Sequence, residues 1–223
     1  MSDKIIDLEV KRKYYRKPAF SVAALEGFTL EVIEGESVAI IGESGVGKST
    51  LLNILGLIDP KFDGRYHLLG QDVAKLSESE MATWRNRSLG FVLQESALIN
   101  SLSIRDNITL PFLYSQPRVR DWQQRYEEVV DLLAIGHIVR KKPLECSGGE
   151  KARANFARAV MLRPRILLAD EPTASLDPKN RERILSLLFG LSREHGATIV
   201  TVTHDLYVAD RHERVLQLSK RKD

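Results

Sequence analysis

Gly42-Glu43-Ser44-Gly45-Val46-Gly47-Lys48-Ser49-Thr50 fits the pattern G-x-x-x-x-G-K-[ST]. Glycines let a backbone turn tightly and aim successive N–H groups at one point, and a helix starting there adds its positive end. Such a loop reads as a triphosphate cradle. Lys48 would neutralise the β- and γ-phosphates of a nucleotide, and the Ser49 hydroxyl would hold Mg²⁺. A dinucleotide fingerprint is excluded by spacing, because no glycine follows Gly45 and Gly47 at position 50.

Asp170 and Glu171 end an apolar run, Ile166–Ala169, which puts two carboxylates at the edge of a sheet where open α/β folds bind ligands. The acids need different roles: Asp170 would face the hydrated cation, and Glu171 would orient or deprotonate the attacking water. Asp-Glu-Pro is also a good turn, and the phosphate loop tips the reading to catalysis. His204 follows a second apolar run, Thr198–Thr203, and is placed to touch the γ-phosphate, since a neutral imidazole can donate and accept at once. Gln94, after Leu89–Leu93, is an amide that could touch Mg²⁺ or the water. Ser147-Gly148-Gly149-Glu150 reads as a capping box at a helix start. The box explains the Ser and the Glu; the two glycines, each costing helix up to about 1 kcal/mol, suit close approach to a phosphate.

The elements that must position these groups are readable from periodicity. Lys4–Val10, Phe28–Ile33, Ser37–Ile41, Leu89–Leu93, Arg165–Asp170 and Ala197–Thr203 read as strands; 49–55, 75–87, Trp122–Ile135, the stretch from Ser147 to about Leu162, and Pro178–His195 read as helices. Between Gln94 and Ser147 the pattern is mostly helical. Strands alternating with helices imply a largely parallel sheet covered on both faces.

Composition sets the class. A chain of 223 residues with 43% hydrophobic and 28% charged content can bury a full core. Its net charge of +3 gives no push toward a polyanion. One cysteine, Cys146, precludes an intrachain disulfide and fits a reducing compartment. The longest apolar stretches fall short of a membrane span, and Met1–Val10 lacks the apolar segment of a signal peptide, so the expectation is a soluble protein inside the cell. Lys11–Lys17 interleaves cations with aromatics, which suits nucleic acid, but a solvated loop near anionic lipid is favoured. Lys220-Arg221-Lys222 reads as a frayed tail.

Taken together, the chain resembles the ATP-binding subunits of ABC transporters over almost its whole length. The carriers are Gly42–Thr50 (Walker A), Gln94 (Q-loop), Cys146–Glu150 (signature), Ile166–Asp170 with Glu171 (Walker B), Ser175-Leu176-Asp177 (D-loop) and His204 (switch histidine). The resemblance implies an α/β phosphate-loop NTPase with a mostly parallel central sheet. An N-terminal antiparallel β lobe would take roughly 1–35 plus strands after the loop, and a helical lobe of roughly 95–160 would be inserted in the core. It implies ATP and Mg²⁺ as cofactors, with Ser49, Gln94 and Asp170 on the metal, and a head-to-tail homodimer in which Ser147, Gly148 and Gly149 of one copy close over the nucleotide of the other. Tyr15 would stack on adenine, with Tyr14 as substitute. Cys146 stands where Leu is usual, Glu150 where Gln is usual, and Asn155 and Phe156 interrupt a typically small aliphatic helix.

Within the family, Leu89–Gln94, Asn107–Pro111 and Glu150 are similar to the LolD/MacB/FtsE-type branch. That likeness implies a membrane permease as partner and export or extraction work on the cytoplasmic face of the inner membrane; with the mild net charge, no nucleic-acid partner is expected. A regulator that signals without moving a substrate is the alternative. Leu98, Ile99 and Pro111–Tyr114 would supply the groove that receives a short helix of the permease.

Overall fold

The computed structural model describes residues 4–17, 20–94, 97–115, 119–174 and 176–219. The chain opens with two long strands, β1 (Lys4–Lys17) and β2 (Phe20–Ile33), then β3 (Ser37–Ile41), α1 (Lys48–Leu55), β4 (Asp63–Leu68), β5 (Gln71–Asp72), α2 (Glu78–Arg87) and β6 (Leu89–Val92). It continues through α3 (Ile104–Leu113), α4 (Trp122–Leu132), α5 (Gly148–Val160), β7 (Ile166–Asp170), α6 (Pro178–His195), β8 (Thr198–Thr203), α7 (Leu206–Ala209) and β9 (Arg214–Gln217).

The strands form two sheets. One is antiparallel in the order β2-β1-β4-β5; the other is parallel in the order β6-β7-β8-β3-β9. The parallel strands β7, β8 and β3 are almost fully buried, which their continuous apolar and β-branched runs require. One hydrophobic cluster joins the antiparallel sheet to α1 and one face of the parallel sheet; a second joins α3, α4 and α5 to the other face and α6. The α/β expectation with an antiparallel N-terminal sheet therefore holds.

Register in the parallel sheet assembles one edge. Ile41 of β3 pairs with Thr203 of β8, and Asp170 of β7 pairs with Val202. The residues that follow each strand, Gly42, Glu171 and His204, must therefore emerge side by side at the carboxyl ends, although they come from distant parts of the chain.

Several expectations change. The basic run Lys11–Lys17 is not a solvated loop: it continues β1 as a strand. Lys13 is 4% exposed, paired with Asp59 at 2.7 Å and donating to the Lys61 carbonyl at 2.6 Å. The helix expected from Lys75 starts at Glu78, where Ser77 and Glu80 form a capping box. The helix expected to reach Ile135 ends at Leu132, and Ala134 takes φ 49, which no continuing helix allows. Leu98 is core, 8% exposed, whereas Ile99, Leu113 and Tyr114 are exposed. The terminal Lys220–Lys222 and Ser175 of the D-loop lie outside the described residues.

Candidate functional site

The turn between β3 and α1 is built by glycine backbone. Gly47 precedes the first residue of α1 with φ 113, and a Cβ there would stand 2.3 Å from the Ala24 carbonyl oxygen of β2. Gly45 has φ 77 with open space around it, so conformation alone demands glycine and its backbone stays accessible. Lys48 folds back, its Nζ donating to the carbonyls of Gly42 at 2.6 Å and Glu43 at 3.0 Å. Val46 turns inward and joins the core.

This loop forms one wall of a cleft of about 640 Å³. Ser44, Gly45, Gly47, Lys48, Ser49 and Thr50 line it together with Gln94, Asp170, Glu171 and His204, and Tyr15 with Ala23 and Ala24 closes one end. Tyr15 is 39% exposed; the Lys13 ammonium lies 5.1 Å from its ring centroid, and its hydroxyl bonds Asp59. Tyr14 is not among the lining residues, and its hydroxyl donates to Glu26 at 2.7 Å.

Glu171 is 7% exposed and takes φ 44, a left-handed backbone that costs a non-glycine residue on the order of 1 kcal/mol. Neighbouring strand β8 holds it there. Glu171 N–H donates to the Val202 carbonyl at 3.0 Å, its Oε2 accepts from the Thr203 hydroxyl at 2.8 Å, and its Oε1 accepts from the His204 backbone N–H at 2.9 Å. His204 Nδ1 is 2.6 Å from the same Oε1. The carboxylate is thus aimed by three groups of β8 and its end. Asp170 is half-buried; burial pushes its carboxyl above the ordinary range, adjacent Glu171 adds to the rise, and Lys48 opposes it.

Do these residues suit a divalent cation? Ser49 hydroxyl, Asp170 carboxylate and Gln94 amide offer oxygens to the same cleft. Among the described residues no cluster of three or more His, Cys, Asp or Glu side chains forms a cation cage. A hard-oxygen set with a single carboxylate, completed by phosphates and water, is what Mg²⁺ takes, and the residues fit it.

The Ser147–Gly149 segment stands elsewhere. Ser147 caps α5, accepting from the Glu150 N–H, while Glu150 Oε2 accepts from the Ser147 N–H at 2.7 Å and Oε1 meets His137 Nε2 at 3.0 Å. The bonds from Ser147, followed by the one to His137, lower the Glu150 carboxyl to about 2. Gly148 lines a second cleft of about 300 Å³ that shares Gln94 and Glu171 with the first. Ser147, Gly149 and Asp177 are not among the residues lining the phosphate-loop cleft. Asp177 caps α6, accepting from the N–H groups of Lys179 and Asn180, both at 3.0 Å, and from the Asn180 amide at 2.5 Å. A Cβ on Gly149 would stand 2.8 Å from that same Asn180 amide, which also accepts from Arg153 at 3.1 Å, so part of the need for glycine at 149 is internal. Cys146 is 9% exposed and packs in the second core, doing the work of the usual aliphatic residue.

Sequence reading missed Thr203, Asn180, Ala23 and Ala24. The only signal for Thr203 was its place beside His204; the others act across the fold and leave no trace in spacing.

A glycine phosphate loop at the carboxyl edge of a parallel sheet, with the carboxylates that end β7, the strand one beyond neighbouring β8, facing the same cleft, defines a phosphate-loop nucleoside triphosphatase. Known proteins narrow this further. The family described as ABC transporter matches residues 25–174. The chain is 42% identical over 217 residues to a macrolide export ATP-binding/permease protein MacB of Rhodopirellula baltica, covering 96% of this chain but 32% of that protein. It is 38% identical over 214 residues to the uncharacterized ABC transporter ATP-binding protein YknY of Bacillus subtilis, covering 96% of this chain and 93% of that one. Among solved structures it is similar to the ATP-binding cassette MJ0796 in a dimeric post-hydrolysis state bound to ADP and Pi. The TM-score is 0.89 at 35% identity, over 96% of this chain and 94% of the other. The chain belongs to the ABC transporter family, as an ATP-binding domain of the ATPase type.

Proposed function

We propose that two copies of this chain clamp ATP head to tail and hydrolyse it, and that the opening and closing of the pair drives a membrane permease from the cytoplasmic face of the membrane. The observation that carries the reading is a division of the site: the cleft gathers the phosphate loop, Asp170, Glu171, Gln94 and His204, while Ser147 and Gly149 lie outside it, free to close over a neighbour's nucleotide. The dimeric cassette that this chain resembles supports the pairing.

Within the cleft, the backbone N–H groups of Gly45, Gly47 and Lys48 and the Lys48 ammonium bind phosphate oxygens, and Tyr15 offers a face to the base. Ser49, Asp170 and Gln94 would hold Mg²⁺. When bound there, it supplies positive charge that offsets charge on the transferring phosphoryl group. Glu171, held by Thr203 and the His204 backbone, takes the proton of the attacking water as general base. His204 reaches the γ-phosphate when its Nδ1 leaves Glu171. The helical lobe, roughly 95–160, carries the signature and moves as a unit on closure.

The permease would dock on the segment that follows Gln94, where Ile99, Leu113 and Tyr114 expose 45%, 77% and 73% of their surface and where Pro111, in the same helix as Leu113, lines a cleft with Ile58, Phe91 and Leu162. Export or extraction of a lipoprotein, peptide or macrolide is the class of work proposed, resting on MacB-type relatives of which this chain spans about a third. No helix among the described residues is long and apolar enough to cross a membrane.

The test is ATP-dependent phosphate release by the purified protein, alone and with membranes. Phosphate released in step with ATP loss, abolished by Lys48→Ala, fits the reading. Transfer of phosphate to a small acceptor would replace it with a kinase. Ile99→Asp should leave basal hydrolysis intact and lower recovery of the protein with membranes; unchanged recovery would remove the docking surface.

A further inference from the structure

Asn155 is the polar residue that breaks the apolar face of α5, and it is 1% exposed. A buried amide in that place has to be bonded, because leaving its polar atoms unpaired costs more than the bond returns. Its Nδ2 donates to the carbonyl of Leu93 at 3.1 Å, the residue immediately before Gln94. Its Oδ1 accepts from Arg158 at 3.1 Å, and Arg158, one turn further along α5, donates in turn to the Ala97 carbonyl at 2.7 Å. The helix that starts at the signature therefore grips the chain on both sides of Gln94. Gln94 and Asn155 also line the second cleft together, with Glu171 on its wall.

We infer that Asn155 is a positioning residue for Gln94: it ties the segment carrying the amide to the signature helix, so that the amide and the Ser-Gly-Gly cap move together when the dimer closes. An alanine here would pack without a bond to Leu93, leaving the segment tied to α5 through Arg158 at Ala97, so Gln94 would be held less tightly in its place in the cleft. The cost falls on the chemical step, because nucleotide is held by the phosphate loop and Tyr15, neither of which Asn155 touches. The inference rests on the ATPase reading above.

The experiment compares wild type, Asn155→Ala, Gln94→Ala and the double variant in steady-state ATP hydrolysis, with thermal melting of each. Loss of one such bond predicts a fall in kcat of about fivefold for Asn155→Ala with KM unchanged. On the Gln94→Ala background the same change should have no further effect, since both act through one group. Hydrogen exchange of the peptide spanning Gln94 should be faster in Asn155→Ala without nucleotide. If the alanine variant folds poorly, Asn155→Ser, one atom shorter, carries the same comparison. An unchanged kcat, a raised KM, or an equal fall on both backgrounds would overturn the inference. Failure of the ATPase reading would look different: wild type itself would release no phosphate.

Discussion

The phosphate loop and the Ser147–Gly149 cap are both glycine turns leading into a helix, yet they are finished differently. The loop at Gly42–Gly47 is left open: Gly47 has left-handed φ, Gly45 keeps its backbone exposed, and no side chain caps α1. Val46 N–H bonds the Glu43 carbonyl, and in the proposed function the N–H groups of Gly45, Gly47 and Lys48 receive phosphate. The cap at α5 is closed on itself, with Ser147 and Glu150 satisfying each other's backbone. On the proposed function, the contrast separates an open site for an anion from a second, self-contained surface whose use requires something brought to it. In the proposed function that something is the nucleotide of a second copy.

Four changes sharpen or break this contrast. Glu171→Gln keeps the loop and the shape of the base while removing its proton affinity, so kcat should fall about 10²- to 10⁴-fold with nucleotide affinity retained; a drop in affinity of the same size would place Glu171 in binding instead. Lys48→Ala removes a charged donor from the open site, and direct binding measurements should show ATP affinity lower by roughly ten- to a hundredfold. Gly149→Ala should leave ATP binding to the dilute chain untouched and lower kcat on the order of tenfold. Weakened binding at low protein concentration would mean that the cap serves its own chain.

The smallest effect concerns the closed cap. The Glu150 carboxyl is lowered to about 2 from an ordinary value of 4.5. Its contribution to stability is therefore complete above pH 4.5 and lost as pH falls through 2. Glu150→Gln should flatten the melting-temperature profile between those values by about 2 °C, and profiles that superimpose would show that the box adds nothing.

Some of this was legible before any fold and some was not. The phosphate loop reads directly because its chemistry needs glycines, a lysine and a serine at fixed local spacing. Asp170, Glu171 and His204 were legible as strand ends, and the Ile41–Thr203 and Asp170–Val202 register explains why three distant strand ends share one edge. Lys13 was misread because a run of cations ordinarily faces water; here Asp59, 46 positions away, accepts the charge inside the fold. Asn155 was visible as a break in an apolar helix face, but its partner Leu93 lies 62 residues off, a distance periodicity does not report. Leu98 and Ile99 are neighbours with the same hydropathy and opposite fates, because Asn107 bonds both backbone groups of Ile99 and fixes which side chain points inward.

The most direct test of the account is the association state of Glu171→Gln with and without ATP and Mg²⁺, measured by analytical ultracentrifugation. The account predicts a monomer without nucleotide and a stable dimer with it, and a more weakly associating dimer when Gly149→Ala is added. A Glu171→Gln protein that binds ATP fully and sediments as a monomer at every concentration would contradict it.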